Sequence, residues 1–384
     1  MTQPVSYLYI ESREALEQGI KYLDHAEVIG VDTEGDSLHS YQEKVSLIQI
    51  SGNHHDLIID PLALGDLSPL TGLLSRPDVV KVLHGTDYDV VVLKRDFGFQ
   101  ISPLFDTCLA ARACGIPKYS LADLLNRYFG VSVDKRYQKA DWSARPLPQK
   151  WLEYAAVDTH YLPQLYQVLK TELEAKGRLE MVEEECQLLT LREWTGKPFE
   201  PSDYLRIKGI TKLPDQAQRV ARALAIARDQ MARKLNRPVF KVFSDQDLLL
   251  MANKQPRTDQ ELATLFPRPS HSIRRRAAFW LSAIRQGLQD RSPLPSPPNY
   301  RSQSFSPAQQ ALYHRLREWR DAQARTEGVE PAMVLSAHEL RQLVWAWPKT
   351  PEDLAQIPFL RRWQVKQYGK DLITQLNLTY SHLR

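Results

Sequence analysis

The sequence predicts an α/β fold followed by two all-α modules, and three observations predict it. Strand-like apolar runs crowd the first hundred residues: "VIGVDTE" (28–34), "KVSLIQIS" (44–51), "DLIIDP" (56–61) and "VVKVLH" (79–84). Helix formers dominate thereafter. Two proline-containing breaks, 194–203 and 291–307, then mark off two segments built on one plan.

The elements follow in order. Short polar connections join the first three strands, as in an antiparallel meander. "LSPLTGLLSRPD" (67–78) reads as a short helix, and "TDYDVVVLKRDFG" (86–98) as a helix that Gly98 stops. "SPLFDT" (102–107) is one more short strand. Helices added after the third strand give a mixed sheet, with antiparallel first strands and flanking helices. "WLEYAAVDTHYLPQLY" (151–166) is helical, with Leu152, Ala155, Leu162 and Leu165 among its apolar positions.

Each break is followed by a long helix that mixes basic and apolar residues, "QRVARALAIARDQMARKLN" and "QQALYHRLREWRDAQARTEG". Each segment then runs through a proline-led entry and short acidic helices to a basic last helix. This pattern implies an internal duplication. The proline-rich stretch between the segments has little to bury and reads as an extended linker. The expected boundaries are 1–195, 204–290, a linker at 291–305, and 306–384.

Composition bounds the function. With 43% hydrophobic and 25% charged residues the chain is an ordinary globular protein. The N-terminal residues have no apolar run after a basic segment, which argues against a signal peptide. No window approaches the roughly 18 apolar residues of a membrane span. Cys108, Cys114 and Cys186 are few and unpaired in spacing, against a disulfide framework or a thiolate zinc site. A cytoplasmic protein is expected, with no membrane and no obligate protein partner. The net charge of +4 permits a polyanionic partner without requiring one.

Asp32 and Glu34 end the first strand two residues apart, and so on one face. Like charges there repel unless a cation sits between them. Asp89 lies just after "VVKVLHG", in a helix where it shares a face with Leu93. Asp158 lies one helical turn after Tyr154. Taken singly, a helix Asp is ordinarily solvated or capping, and Asp87 beside Asp89 serves the macrodipole equally well. Taken together, oxygen-only ligands spread over several elements suit hard cations such as Mg²⁺ or Mn²⁺. Two such ions suit phosphodiester cleavage, and a tyrosine hydroxyl beside them suits orienting a water.

The pieces "GVDTEG", "VLHGTDYDVVVLKRDFG" and "YAAVDTHYL", in this order, resemble the three exonuclease motifs of the DEDD superfamily. "DKRYQKADWSARPLP" resembles the segment before the third motif in the ribonuclease D family and its exosome-associated relatives. The resemblance implies a ribonuclease H-like fold over residues 1–195, a two-metal mechanism and 3′→5′ exonuclease activity. It places Asp32 and Glu34 in the first motif, Asp89 in the second, and Tyr154 with Asp158 in the third. Glu153 stands where another subgroup has histidine, which indicates the tyrosine subgroup. Gly35 stands where bacterial ribonuclease D often has phenylalanine. The two helical segments resemble HRDC domains, the second more closely, and this implies nucleic-acid binding. Two such modules after the nuclease domain match the bacterial family.

Further residues are expected at the substrate. Gln49 lies on the strand after the first motif, and His84 precedes the second. Lys135, Arg136, Lys139 and Arg145 offer cations to phosphates, with Tyr137 and Trp142 as aromatic faces for unstacked bases. Trp142 suits a buried anchor equally well. Arg274, Arg275, Arg276, Arg361, Arg362 and Lys366 are further cations that suit either phosphates or a solvated face. The expectation is a metal-dependent 3′→5′ exoribonuclease that releases 5′-mononucleotides, with tRNA precursors as substrate. A DNA exonuclease and a catalytically inactive RNA-binding protein stay open as rivals.

Overall fold

The computed structural model describes residues 5–268, 272–295 and 305–381, without the side chain of Lys135 or those of 379–381. They fall into two compact units, one of residues up to 34, 45–194 and from 303 onward, the other of 35–44 and 195–302.

The first unit is built on a six-stranded sheet of β1 (Leu8–Ile10), β2 (Val28–Gly35), β3 (Val45–Gly52), β4 (His55–Ile59), β5 (Val80–Leu83) and β6 (Leu104–Asp106). Their order across the sheet is β1-β4-β3-β2-β5-β6. β3 and β4 are antiparallel, while β1 with β4, β2 with β5, and β5 with β6 run parallel. This is the expected mixed sheet. The edge strand β1 is the strand that sequence reading missed, because three residues are too few to show a period. β3 is buried along its whole length, as a central strand covered on both faces must be.

The helices of this region are α1 (Arg13–Tyr22), α2 (Pro61–Leu64), α3 (Pro69–Ser75), α4 (Asp89–Phe97), α5 (Thr107–Ala113), α6 (Leu121–Phe129), α7 (Gln149–His160), α8 (Leu162–Ala175) and α9 (Leu179–Thr190). Gly98 takes the left-handed conformation that ends α4, as its sequence position implies.

In the second unit, α10 (Asp215–Leu235) packs along the module with α11 (Val239–Val242), α12 (Asp245–Lys254), α13 (Asp259–Leu265) and α14 (Ala277–Gln289). Trp280, Tyr204 and Leu224 are at its core. Tyr41, from the 35–44 segment, donates its hydroxyl hydrogen to buried Asp229 at 2.6 Å.

The C-terminal module, in the first unit, repeats the plan with α15 (Pro307–Glu327), α16 (Pro331–Val334), α17 (Ala337–Ala346), α18 (Pro351–Ala355) and α19 (Arg362–Ser381). Ser244 and Ser336 cap equivalent helices, each in a capping box with the acid three residues on. The apolar core of the C-terminal module is continuous with that of the sheet. Most of the expected linker, residues 296–304, lies outside the described residues.

Candidate active site

β2 delivers its acids from a rigid platform. Ile29 and Val31 are fully buried, and Asp32 and Glu34 follow where the strand emerges half-buried. Asp158 comes to them from α7. Carboxylate oxygens of Asp32, Glu34 and Asp158 all lie within 4.8 Å of one another. Gly30 allows this approach. A Cβ there would lie 2.7 Å from the Thr159 carbonyl oxygen and 2.9 Å from Leu162 Cβ. The chain between α7 and α8 thus rests directly on β2, and a Ser51–Thr159 hydroxyl bond of 2.6 Å ties it to β3.

Asp89 stands at the start of α4, outside that group of three. Thr33, between the two strand acids, donates its hydroxyl hydrogen to Asp89 Oδ1 at 2.5 Å. Sequence reading passed over Thr33. The only signal was its place between the acids. Asp87 faces elsewhere, paired with Arg192 at 2.7 Å and largely exposed.

The electrostatics are those of crowded, buried acids. Burial, then the charges of Asp89, Asp158 and Glu34, pushes the Asp32 carboxyl well above the usual carboxylate range. Burial, then Asp158 and Asp89, does the same to Glu34. Burial raises Asp89 to about 6, against the pull of the Thr33 hydroxyl. Asp158 rises to about 7 by burial, opposed by its hydrogen bond from Tyr154. Four such acids cannot all ionise near pH 7 without a positive charge among them. The donor set fits a hard divalent cation: oxygen ligands only, from a strand and a helix.

Tyr154 is held as a neutral phenol. Burial first, then the charges of Asp158 and Glu34, drives its pKa far above the ordinary value. Its ring is fixed by neighbours. Trp142 stacks on it with centroids 6.2 Å apart, and Tyr137 meets it edge-on at 5.9 Å. A cavity of about 330 Å³ opens beside it, lined by Tyr137, Tyr154, Tyr161, Val133, Lys150 and Glu153 among others.

The structure moves several expected substrate residues into other work. Trp142 is 1% exposed, so it offers no face to a base and serves as the anchor behind Tyr154. Arg145 has no free donor for a phosphate. Its five N–H groups go to the Asp60 carboxylate and to the carbonyls of Trp142, Ala144 and Ser46. Asp60 is itself fully buried and also accepts from the Tyr9 hydroxyl. Gln49 is fully buried on β3, its amide atoms without a partner among the described residues, so it cannot reach a substrate. His84 bonds Thr107 Oγ1 through Nδ1 at 2.9 Å, and burial lowers its pKa. The side chain of Lys135 lies outside the described residues. Arg136 is exposed and paired with Asp134.

The three cations of the last module that suit phosphates or a solvated face lie against acids of α9. Arg361 pairs with Glu185 at 2.8 Å, Lys366 with Glu180, and Arg362 approaches Glu184. Arg275 stays exposed on the second unit, with Arg274 and Arg276 half-exposed. As for Gly35, a Cβ would lie 3.3 Å from the Lys44 carbonyl oxygen, so the missing side chain leaves room for a close backbone approach.

Among the described residues, no helix is long and apolar enough to cross a membrane. The 3′–5′ exonuclease family matches residues 7–174, and the HRDC domain matches twice, at 217–284 and 309–376. Among solved structures the chain is similar to Escherichia coli RNase D, described as an exoribonuclease involved in structured RNA processing. Identity is 27%, the TM-score 0.68, and the match covers 97% of this chain and 99% of that one. It is also similar to the catalytic core of RRP6 from Trypanosoma brucei, with 29% identity, a TM-score of 0.65, and 75% and 83% of the two chains covered. The Arabidopsis thaliana protein RRP6-like 3 is 33% identical over 284 residues, 67% of this chain and 32% of that protein. Among the curated relatives it matches, the chain spans 32%, 23% and 27% of the length of three. The chain carries a DEDD-type 3′–5′ exonuclease domain, similar to those of RNase D and RRP6, followed by two HRDC domains.

Proposed function

We propose that the protein is a metal-dependent exoribonuclease that removes nucleotides from the 3′ end of RNA and releases 5′-mononucleotides. One observation carries the reading: Asp32, Glu34 and Asp158 converge within 4.8 Å, with Asp89 tied to the same strand through Thr33. That many buried acids would be a liability in a merely structural role.

Asp32, Glu34, Asp89 and Asp158 would hold two divalent ions, Mg²⁺ or Mn²⁺. Such a pair, when bound, supplies an activated water and stabilises the leaving oxygen of a phosphodiester. Thr33 fixes the Asp89 carboxylate. Tyr154, kept protonated, orients the attacking water by donating or accepting at its hydroxyl, and the Trp142 and Tyr137 rings hold it in place. Attack by water needs no covalent intermediate on the protein. The aromatic cavity beside Tyr154 supports a nucleic-acid substrate, because unstacked bases use such faces. The likeness to RNase D supports RNA, and the resemblance of the motifs supports tRNA precursors, processed in the cytoplasm.

A time course on end-labelled RNA and DNA of matched sequence, each with a free 3′-OH, tests the reading with Mg²⁺, with Mn²⁺ and with EDTA. Stepwise shortening of RNA from its 3′ end, abolished by EDTA, is the expected result. Faster loss of DNA would overturn the substrate, and RNA that is bound but never shortened would overturn the activity.

A further inference from the structure

The helix α9 faces two ways. On one side, Glu184 accepts the backbone N–H groups of Arg362 at 2.8 Å and Trp363 at 3.0 Å, and so closes the N-terminus of α19. Glu185 pairs with Arg361 and Glu180 with Lys366. On the other side, α9 packs against β6, and the fully buried Cys186 accepts the Asp106 backbone N–H at its Sγ, 3.2 Å away.

Asp106 carries the link onward. It is 5% exposed, and its carboxylate collects five donors. Two are the N–H groups of Cys108 and Leu109, which an N-cap residue takes at a helix start. The other three are no part of a cap. They are the N–H groups of Gly85 and Thr86, each at 3.0 Å, and the Thr86 hydroxyl at 3.1 Å. Gly85 turns through a positive φ of 71°, and α4 begins at Asp89 with the Thr86 carbonyl accepting its first bond, from Val90. The segment that aims Asp89 is therefore held by one buried carboxylate. That carboxylate sits on a strand end seated against α9.

We propose that Asp106 is a positioning residue for Asp89, and that the C-terminal HRDC module braces it through α9. The proposal rests on the reading of Asp89 as a metal ligand. Arg361, Arg362 and Lys366 then serve the nuclease domain, where sequence alone left them to phosphates or to a solvated face.

The test is charge reversal in the full chain, at a pair remote from the acids. Arg361 and Glu185 are 28% and 25% exposed, so water tempers a reversed charge there. Arg361→Glu, Glu185→Arg and the double swap are compared by calorimetric Mn²⁺ titration, by kcat and KM on 3′-OH RNA, and by RNA Kd across salt concentrations. Each single reversal should lower Mn²⁺ affinity and kcat roughly fivefold, leave RNA Kd in place, and be rescued by the double swap. Asp106→Asn, closer to the site, should cost about tenfold to a hundredfold in Mn²⁺ affinity. Should a single reversal fail to fold by circular dichroism, the more exposed pair Lys366→Glu and Glu180→Lys takes its place.

Unchanged Mn²⁺ affinity and kcat in the reversals would overturn the brace. So would a weaker RNA Kd with a shallower salt slope and no rescue, which would make Arg361 a phosphate contact. Asp89→Asn, run in parallel, tells the failures apart. Unchanged Mn²⁺ affinity there removes the metal-ligand reading and the proposal with it. A loss there, with reversals that do nothing, removes the brace alone.

Discussion

Thr33 donates its hydroxyl hydrogen to Asp89 across 2.5 Å, so the residue between the first two acids of the site holds the third. β2 thereby supplies two of the acids itself and, through Thr33, orients a third that comes from α4.

Thr33→Val keeps the shape and removes the donor. The hydroxyl bond favours the charged form of Asp89, so losing it raises the Asp89 pKa further above its present value of about 6. Metal would then compete with a proton to higher pH. The rise of kcat/KM with pH should move alkaline, and Mn²⁺ affinity should fall about tenfold at neutral pH. Stability should change by only about 1 kcal/mol. A pH–rate profile with a metal titration checks both, and an unmoved profile would detach Thr33 from the reaction.

Asp89→Asn should abolish RNA shortening while leaving RNA binding intact. It also removes a buried carboxylate whose ionised form burial disfavours, so melting without metal should rise or hold. Asp87→Asn should be mild on both counts, because its partner Arg192 is an exposed pair worth roughly 1 kcal/mol at most. The reverse pattern would show that α4 presents the other acid.

The fold and most of the acids were legible for a shared reason, their periodicity. Apolar runs mark the strands, and acids two apart on a strand or four after a tyrosine on a helix fall on one face; Asp89 was set apart from Asp87 only by the resemblance of its motif. What was not legible depends on contacts distant in sequence. Gly30 shows nothing in the chain of its approach to Thr159 and Leu162. Arg145 looks like a free cation until Asp60, 85 residues earlier, takes its guanidinium. Trp142 reads equally as base platform or anchor until its burial is known. Arg361 and Lys366 read equally as phosphate contacts or a solvated face until α9 is set against them. Charge on a sequence says that a partner is needed, and only the fold says which partner is already there.

The site also fixes how stability responds to pH and metal. Asp89 and Asp158 have folded-state values of about 6 and about 7, above the ordinary value of 3.8. Between 3.8 and those values the folded chain binds more protons than the unfolded chain, so unfolding free energy falls as pH rises through that window. The EDTA-treated protein should therefore melt at a higher temperature at pH 5 than at pH 8. Mn²⁺ binds the ionised form, so it should restore stability at pH 8 by about 2.7 kcal/mol at a hundred times its Kd, and do little at pH 5. Scanning calorimetry at both pH values checks this. Melting that is higher at pH 8 without metal would show that these acids do not carry the raised values.

Arg145→Lys separates a structural arginine from a phosphate-binding one. Lysine keeps the charge but brings three donors in place of a planar fork of five. The Asp60 carboxylate, with no exposure at all, would lose part of its pairing, as would the carbonyls of Ser46, Trp142 and Ala144. Losing part of the fork against a buried carboxylate should cost roughly 1–3 kcal/mol. The loop it holds carries Trp142, whose ring backs Tyr154, so kcat should fall while RNA affinity and its salt slope hold. A phosphate contact predicts the opposite: an unchanged melting temperature and a raised KM, because lysine keeps the charge but loses the planar fork. The fork of hydrogen bonds from Arg145 to Asp60 favours the first outcome, since a guanidinium with every donor taken has none to give to RNA.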